Sequence, residues 1–175
     1  GGVAVYDENG NPVFAASKLN TDREADGHRM VTDAVHSADS DVKIVMQILH
    51  MGPLAHNPNL VAPSKIRSRI SKLTPNELDA EGIEKQIADH ANCARLAKQA
   101  GYDGVEIIGS AGYLLSTFLV EKTNQRTDEW GGSYENRMRF PLEVVRRVRE
   151  TVGEDFIVIF RICLLYTSPS PRDTA

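Results

Sequence analysis

The 175-residue sequence lacks several features that mark specialised classes of protein. It has only two cysteines, Cys93 and Cys163, and their wide spacing fits neither a disulfide framework nor a paired-cysteine metal site. Its longest aliphatic or aromatic run covers residues 156–160, far short of the roughly 20 apolar residues that a membrane helix needs. A net charge of −4 offers no basic field for nucleic acid. We therefore expect a cytoplasmic, reducing environment and binding to neither nucleic acid nor membrane.

Common nucleotide, metal and hydrolase motifs are also missing. No GxGxxG pattern supports a Rossmann dinucleotide site, and the patterns GxxxxGK[ST], HExxH and GxSxG do not occur. The five histidines lack metal-ligand spacing, so we expect no metal site. His28, His36 and His90 fall on predicted helices, where a solvated or capping role is expected.

What is present is a series of helix signals in a chain of average globular composition, with 41% hydrophobic and 25% charged residues. Capping-box patterns predict helices that begin after Thr21 and Thr74, and a third helix is expected to start near Ser133. Gly101 and Gly153 are expected to end the second and third helices. Each helix has a set of apolar residues that is expected to face the core. The sets are Met30, Val31, Ala34, Val35 and Ala38 on the first helix, Ile83, Ile87, Ala91 and Ala94 on the second, and Met138, Leu142, Val145, Val148 and Val152 on the third.

Each helix is followed by a short apolar run, at residues 42–49, 104–108 and 156–160. These runs do not alternate with polar residues, which predicts parallel strands buried on both faces. The alternation of helix and strand is the signature of an α/β fold. The loops after two of the strands, residues 50–73 and 109–132, are long, whereas the helix-to-strand turns are short. We therefore expect functional residues at the carboxyl ends of the strands.

Two segments carry a specific resemblance. The first is Gln47-Ile48-Leu49-His50-Met51-Gly52, and the second is residues 101–140, which contain GYDGVEIIGSAGYLL and KTNQRTDEWGGSYENRMRF. Together they resemble the old yellow enzyme family of FMN oxidoreductases, which are built on a TIM (β/α)8 barrel. The resemblance implies an α/β fragment of that barrel, from the end of strand 2 through strand 5.

The chain ends differ from this pattern. The first residue is Gly1, and residues 1–5 look like the end of a strand. Residues 163–175 have no hydrophobic period and contain two prolines. We expect a partial reading frame in which residues 1–162 form a partial FMN-binding barrel and residues 163–175 form a non-native or disordered tail.

Within the family, the sequence looks most like bacterial 2,4-dienoyl-CoA reductase. Simple ene-reductases commonly carry two histidines that hold the substrate carbonyl, and here those positions are Ile108 and Ala111. The Gly-Ser-x-Gly-Tyr-Leu form at residues 109–114 matches the dienoyl-CoA subgroup instead. A further difference is Pro53, which replaces the arginine that the family usually has after His-x-Gly. The absence of that arginine removes a cation from the active-site loop.

The resemblance assigns Tyr113 as the proton donor, the one predicted catalytic residue. A phenol has a pKa of about 10 and remains protonated at neutral pH, so it can deliver a proton beside a flavin. The structural alternative is an interface aromatic whose hydroxyl is satisfied by a hydrogen bond.

Gly2, Gln47 and Arg161 are assigned to cofactor binding. Gly2 would let the backbone approach FMN, and Gln47 would pair with the pyrimidine edge of the flavin. Arg161 would stabilise the anionic reduced ring near N1 and O2. The alternatives are a buried glutamine bonded to backbone and an arginine in a structural salt bridge.

Lys122 and Gln125 fall where the subgroup contacts its acyl-CoA substrate, although both could be merely solvated. The rest of that segment is interpreted as a scaffold that joins the loop to the next helix. Its members are Arg126, Asp128, Trp130, Gly131, Gly132, Asn136 and Arg137.

The implied activity is FMN-dependent reduction of a conjugated C=C bond, specifically NADPH-dependent reduction of a 2,4-dienoyl-CoA. A full-length parent would also carry FAD and a 4Fe-4S cluster. The alternative substrate class is small enones, and the partners in either case are small molecules. A hypothesis from another class is that the isolated chain is a non-catalytic truncated fragment.

Overall fold

A computed structural model of the protein describes residues 3–4 and 17–163. Residues 164–175, most of the predicted tail, therefore lie outside the described residues. A short 3₁₀ helix at Gly52–Leu54 follows the second strand. In chain order the remaining elements are β1 (Val3–Ala4), α1 (Asp22–Ala38), β2 (Val45–Leu49), β3 (Val61–Ala62), β4 (Asn76–Glu77), α2 (Ala80–Gln99), β5 (Gly104–Gly109), α3 (Leu114–Leu119), α4 (Tyr134–Val152) and β6 (Ile157–Ile162).

The main sheet has four parallel strands in the order β1-β2-β5-β6. Neighbouring strands are joined through helices α1, α2 and α4, which is the repeating unit of a β/α barrel. A separate pair, β3 and β4, lies in the loop region after β2. The predicted fold class, a partial α/β barrel, is confirmed at this level.

The core lies between the sheet and the helices that pack on it. α2 packs against α4, and both contribute fully buried side chains such as Ile87 and Val148. Strand β5 supplies Val105 and Ile107, which are also fully buried. The prediction of two buried faces is confirmed for β5 but is wrong for β6, where Ile159 is 42% exposed. In the described sheet β6 is an edge strand that only β5 flanks, so part of its surface has no neighbour.

The predicted start of α2 is wrong. Instead of opening the helix, Asn76 and Glu77 form β4 and pair with β3. The Asn76 N–H donates to the Leu60 carbonyl at 2.8 Å, and the Asp79 carboxylate caps the helix by accepting from the Gly82 N–H at 2.7 Å. A capping-box sequence is a local signal, and here the pairing of β4 with β3 prevents the helix from starting at it.

The other predicted helix boundaries agree with the structure, whereas α3 lies within residues 109–132, which the sequence analysis treated as a loop. Thr21 and Glu24 form the complete capping box of α1, and Ser133 caps α4. Gly101 and Gly153 follow α2 and α4 with φ of 87° and 80°, values that favour glycine.

Two predicted core faces are partly wrong. On α1, Met30 is 73% and Val31 is 52% exposed, while Ala25 and Thr32 are buried. The Thr32 hydroxyl donates to the Ala100 carbonyl at 2.5 Å, which turns that face toward the end of α2. On α4, Leu142 is 56% exposed. Because neighbouring apolar stripes on a helix differ by little in sequence, contacts with other elements decide which stripe is buried.

The predicted solvated or capping role for His90 is also wrong. His90 is 1% exposed, its Nδ1 lies 2.7 Å from the Gln86 carbonyl oxygen, and its ring stacks on His50. His28 and His36 are half-buried and reach the end of α2: His28 Nδ1 lies 2.9 Å from the Tyr102 hydroxyl, and His36 Nε2 lies 2.9 Å from Asp103.

Candidate active site

Three polar side chains lie on adjacent strands β2, β5 and β6 of the main sheet. Gln47 and Glu106 occupy paired register positions, and the Gln47 Nε2 amide donates to Glu106 Oε1 at 2.7 Å. The same Oε1 lies 3.5 Å from Arg161 Nη1 on β6. The two predicted flavin contacts, Gln47 and Arg161, are therefore joined by one carboxylate. Gly2, the third residue assigned to cofactor binding from the sequence, lies outside the described residues.

The sequence analysis gave no role to Glu106. The available signal was a carboxylate inside an otherwise apolar strand, because a half-buried carboxylate needs hydrogen-bond partners. Arg161 makes the kind of ion pair that its structural alternative describes, whereas Gln47 bonds to a side chain and not to backbone as its alternative had it.

These residues suit the pyrimidine edge of a flavin, which presents both hydrogen-bond donors and acceptors. Gln47 uses one amide hydrogen on Glu106, and an amide group also has a second hydrogen and a carbonyl oxygen to offer. The side chain of Arg161 is 60% exposed, so its guanidinium is accessible to a bound ring. The donor set on β2 and β6 therefore fits FMN.

Tyr113 lies just beyond the carboxyl end of β5, where the backbone makes a tight turn. Ala111 has φ of 62° and Gly112 has φ of 74°, and the Tyr113 N–H donates to the Ser110 carbonyl at 3.3 Å. A non-glycine residue in the left-handed region costs conformational energy and is frequently found at functional sites. The turn brings Tyr113 to the position immediately before α3.

The loop after β2 contacts this turn directly. The Leu114 N–H donates to the His50 carbonyl at 3.1 Å. Gly52 has φ of 54°, and a Cβ atom there would lie 2.8 Å from Leu114 Cα. Only glycine allows the two backbones to approach this closely. Two strand-end loops are thereby joined beside Tyr113.

Tyr113 lines a cavity of about 840 Å³ between these loops. Ala111 is another wall of the cavity, whereas Ile108 is buried in β5, so neither position where simple ene-reductases carry a histidine offers an imidazole. Polar groups come instead from His56 and Lys72 on the loop after β2. The cavity has space for a small ligand or for the reacting end of a larger one.

Lys122 and Gln125, the predicted substrate contacts, line a different cavity of about 700 Å³. The structure therefore does not bring them together with Tyr113 in one cavity. The backbone N–H of Gln125 donates to the Ser64 hydroxyl at 3.0 Å, which ties this loop to the end of β3.

The predicted scaffold has the expected polar network. The Arg126 side chain is 6% exposed and donates to the carbonyls of Pro63 and Leu78 at 3.0 and 2.5 Å. It also binds the Asp128 carboxylate through Nε at 3.0 Å. The hydrogen bonds from Arg126, together with the Trp130 N–H, hold the pKa of Asp128 below its usual value despite the opposing effect of burial. This network fixes residues 124–137 to the loop after β3.

Both cysteines are free thiols. Cys93 is buried, and burial raises the pKa of its thiol to about 12. Among residues 17–163, no group of three or more His, Cys, Asp or Glu side chains is arranged to hold a metal ion. In the same part of the chain, no helix is long and apolar enough to cross a bilayer.

The chain is similar to several known proteins. The chain is 45% identical over 166 residues to a metal reductase of Desulforamulus reducens, which covers 93% of this chain and 24% of that protein. It resembles the solved structure of a 2-naphthoyl-CoA reductase in complex with 2-naphthoyl-CoA, with a TM-score of 0.84 and 31% sequence identity. The match covers 91% of this chain and 26% of the reductase chain. Morphinone reductase gives a TM-score of 0.83 and 32% identity over 91% of this chain and 47% of that one.

The chain therefore spans between about a quarter and a half of the length of these relatives. Residues 2–170 match the NADH:flavin oxidoreductase / NADH oxidase family. The solved relatives share the arrangement of parallel strands and helices described above. On these grounds, the chain belongs to the NADH:flavin oxidoreductase family, that of old yellow enzyme, and forms part of its TIM barrel.

Proposed function

We propose that this chain is the portion of an FMN-dependent oxidoreductase that reduces a conjugated C=C bond, with NADPH as the reductant. The observation that carries the proposal is the placement of Tyr113. It lines a cavity just beyond the end of β5, the strand that also carries Glu106, the partner of Gln47 and Arg161. The proposed proton donor therefore follows the strand that carries Glu106, and the proposed flavin contacts Gln47 and Arg161 lie on the two strands that flank it.

In this proposal each residue has a defined task. Gln47 and Arg161 bind and orient the pyrimidine edge of the cofactor, and Gly2 gives its backbone room. Bound FMN supplies the hydride that one carbon of the double bond accepts. Tyr113 donates its hydroxyl proton to the other carbon, and a proton from solvent restores the phenol.

The substrate we propose is a 2,4-dienoyl-CoA. Ile108 and Ala111 remove the two histidines that would hold the carbonyl of a simple enone. The similarity to a structure of 2-naphthoyl-CoA reductase with its CoA substrate favours a thioester of this type. Lys122 and Gln125, in the neighbouring cavity, remain proposed contacts for the acyl-CoA.

The alternative substrate is a small enone, and the similarity to morphinone reductase favours it. The ratio of kcat/KM for 2,4-hexadienoyl-CoA to that for 2-cyclohexenone discriminates between the two. A ratio well above one supports the dienoyl-CoA, and a ratio below one supports the enone.

The role of Tyr113 is tested with Tyr113→Phe in the FMN-loaded full-length parent protein. We expect turnover to fall by about 100-fold or more, because a positioned general acid contributes at least that much. FMN affinity should be unchanged. Tyr134→Phe, at a residue 63% exposed on α4, is the matched control and should keep full turnover. Full turnover in Tyr113→Phe would refute the assignment.

The 175-residue chain by itself is proposed to be inactive. The exposed face of β6, with Ile157 and Ile159 each about two-fifths exposed, leaves an apolar strand uncovered. A purified chain that is colourless after incubation with FMN would agree with this. A yellow chain that reduces enones would contradict it. The FAD and 4Fe-4S groups and the cytoplasmic location stay predictions about the parent protein.

A further inference from the structure

The charges of this acidic chain are unevenly distributed. No Asp or Glu occurs between Asp41 and Glu77, although the whole chain has a net charge of −4. Four cations lie within residues 65–72, which we name the basic loop: Lys65, Arg67, Arg69 and Lys72. Such a concentration of positive charge on one loop attracts anions.

All four of these cations are exposed, and none of them has a carboxylate partner among the described residues. The ion pairs found within residues 17–163 use other cations, such as Lys43, Arg126 and Arg146. Arg146, which is also exposed, is by contrast paired with Glu143 and Glu150. Within the described residues, the four neighbouring cations of the basic loop therefore have no carboxylate that competes with an anionic ligand.

The basic loop has ordered turns and a fixed starting point. The Ile66 N–H donates to the Ser64 carbonyl at 2.7 Å, and the Ser71 N–H donates to the Ser68 carbonyl at 3.2 Å. Just before the loop, the Ser64 hydroxyl accepts from the Gln125 N–H. These bonds hold the cations on a backbone that is shaped before any ligand arrives, which reduces the entropy cost of binding.

One end of the basic loop forms part of the cavity that holds Tyr113. Ile70, Ser71 and Lys72 line this cavity together with His56. No carboxylate is found among the described residues that line it. A ligand whose reacting end lies beside Tyr113 can therefore extend outward along the cations.

We propose that the basic loop binds the phosphate groups of a nucleotide-bearing reactant whose reacting end occupies the cavity beside Tyr113. Phosphate oxygens accept charge-assisted hydrogen bonds from arginine and lysine, and four such residues suit a ligand with several phosphates. The overall negative charge and the single short loop disfavour a nucleic acid, which needs a long basic surface. Two reactants share the required chemistry: a coenzyme A thioester and NADPH. The inference rests on the proposed function only in placing the reacting group at Tyr113.

The test measures dissociation constants by calorimetry in the FMN-loaded full-length parent protein. The probes are 2-naphthoyl-CoA, the N-acetylcysteamine thioester of the same acid, which has no phosphate, and NADPH. The variants are Arg67→Gln/Arg69→Gln and Lys72→Gln, with the charge-retaining versions Arg67→Lys/Arg69→Lys and Lys72→Arg. Lys85→Gln, at an exposed cation on α2 that pairs with Asp89, is the control.

We expect the neutral double variant to weaken binding of one phosphate-bearing probe by about tenfold, from the loss of two charge-assisted contacts that are partly screened by solvent. The charge-retaining variants should lose much less, and added salt should weaken wild-type binding more steeply than that of the neutral variants. Binding of the N-acetylcysteamine thioester should change by less than about twofold, because it carries no phosphate. A loss for 2-naphthoyl-CoA alone identifies the thioester as the ligand, and a loss for NADPH alone identifies the nicotinamide nucleotide.

Unchanged affinity of all neutral variants for both phosphate-bearing probes would overturn the inference. Failure of the proposed function has a different signature, because it would leave the wild-type protein unable to bind FMN or to reduce either 2,4-hexadienoyl-CoA or 2-cyclohexenone. The binding measurement does not depend on turnover, so the two results are read independently.

Discussion

The Gln47 amide donates to the Glu106 carboxylate at 2.7 Å across the adjacent strands β2 and β5. The same carboxylate oxygen lies 3.5 Å from the guanidinium of Arg161 on β6. One carboxylate thus holds in place two side chains that we propose to contact FMN. Glu106 would act as a positioning residue, because its own contacts are with protein groups.

We expect Glu106→Ala to weaken FMN binding by about tenfold, because Gln47 and Arg161 lose the group that orients them. Fluorescence titration of the full-length parent protein with FMN measures the change. The losses from Glu106→Ala and Gln47→Ala should not add in the double variant, since the two residues act as one unit. Glu154→Ala, at an exposed residue after α4, is the control. Additive losses would show that Glu106 does not act through Gln47.

Gly52→Ala should destabilise the protein by about 1–3 kcal/mol, because the new Cβ would lie 2.8 Å from Leu114 Cα and the backbone has a positive φ. Denaturant unfolding measures the free energy. Gly27→Ala is the matched control, since a Cβ there meets no atom within 4 Å and the residue lies inside α1. That control should stabilise by roughly 0.5–1 kcal/mol. Equal effects of the two substitutions would contradict the role of Gly52.

Asp79→Ala should cost about 1 kcal/mol of unfolding free energy, because the Asp79 carboxylate caps α2 through the Gly82 N–H. Thr74→Ala should change the free energy by less than about 0.5 kcal/mol, since Thr74 is exposed and lies before β4. The pair of substitutions separates the observed helix start from the one predicted by sequence. A larger loss of unfolding free energy for Thr74→Ala than for Asp79→Ala would support the helix start that the sequence predicted.

The acid stability of the protein should depend on Asp128. Hydrogen bonds from Arg126 hold the pKa of Asp128 below its usual value in the folded state. In the unfolded chain an aspartate carboxyl has a pKa of about 3.9. The contribution of Asp128 to the unfolding free energy is therefore fully present above that pH and is lost as the pH falls through the lower pKa of the folded state.

Below about pH 4, the unfolding free energy of the wild type should therefore decline more steeply than that of Asp128→Asn. At neutral pH the variant should be less stable by on the order of 1 kcal/mol, a small value because the Asp128 side chain is 46% exposed. Equilibrium unfolding at a series of pH values measures both effects. Asp26→Asn, on the exposed side of α1, should retain the wild-type slope. The same slope in Asp128→Asn and the wild type would count against the Arg126 interaction as its cause.

The sequence alone was sufficient for the alternation of helices and parallel strands. Buried strands such as β5 appear as unbroken apolar runs, and helix ends such as Gly101 carry local conformational signals. The motif at Tyr113 was recognised by its resemblance to a family, and such a resemblance is carried by residues that are consecutive in the chain. These features depend on short stretches of chain, so sequence order is enough to predict them.

The tertiary structure decided every feature that depends on residues distant in sequence. The pairing of β4 with β3 moved the start of α2 to Ala80, and packing against other elements left Met30 and Leu142 exposed. Gln47 and Glu106 are far apart in the chain, and only the register of β2 against β5 brings their side chains to 2.7 Å. Local propensities differ by small free energies, whereas strand pairing and burial contribute many contacts at once, so the long-range contacts prevail where the two disagree.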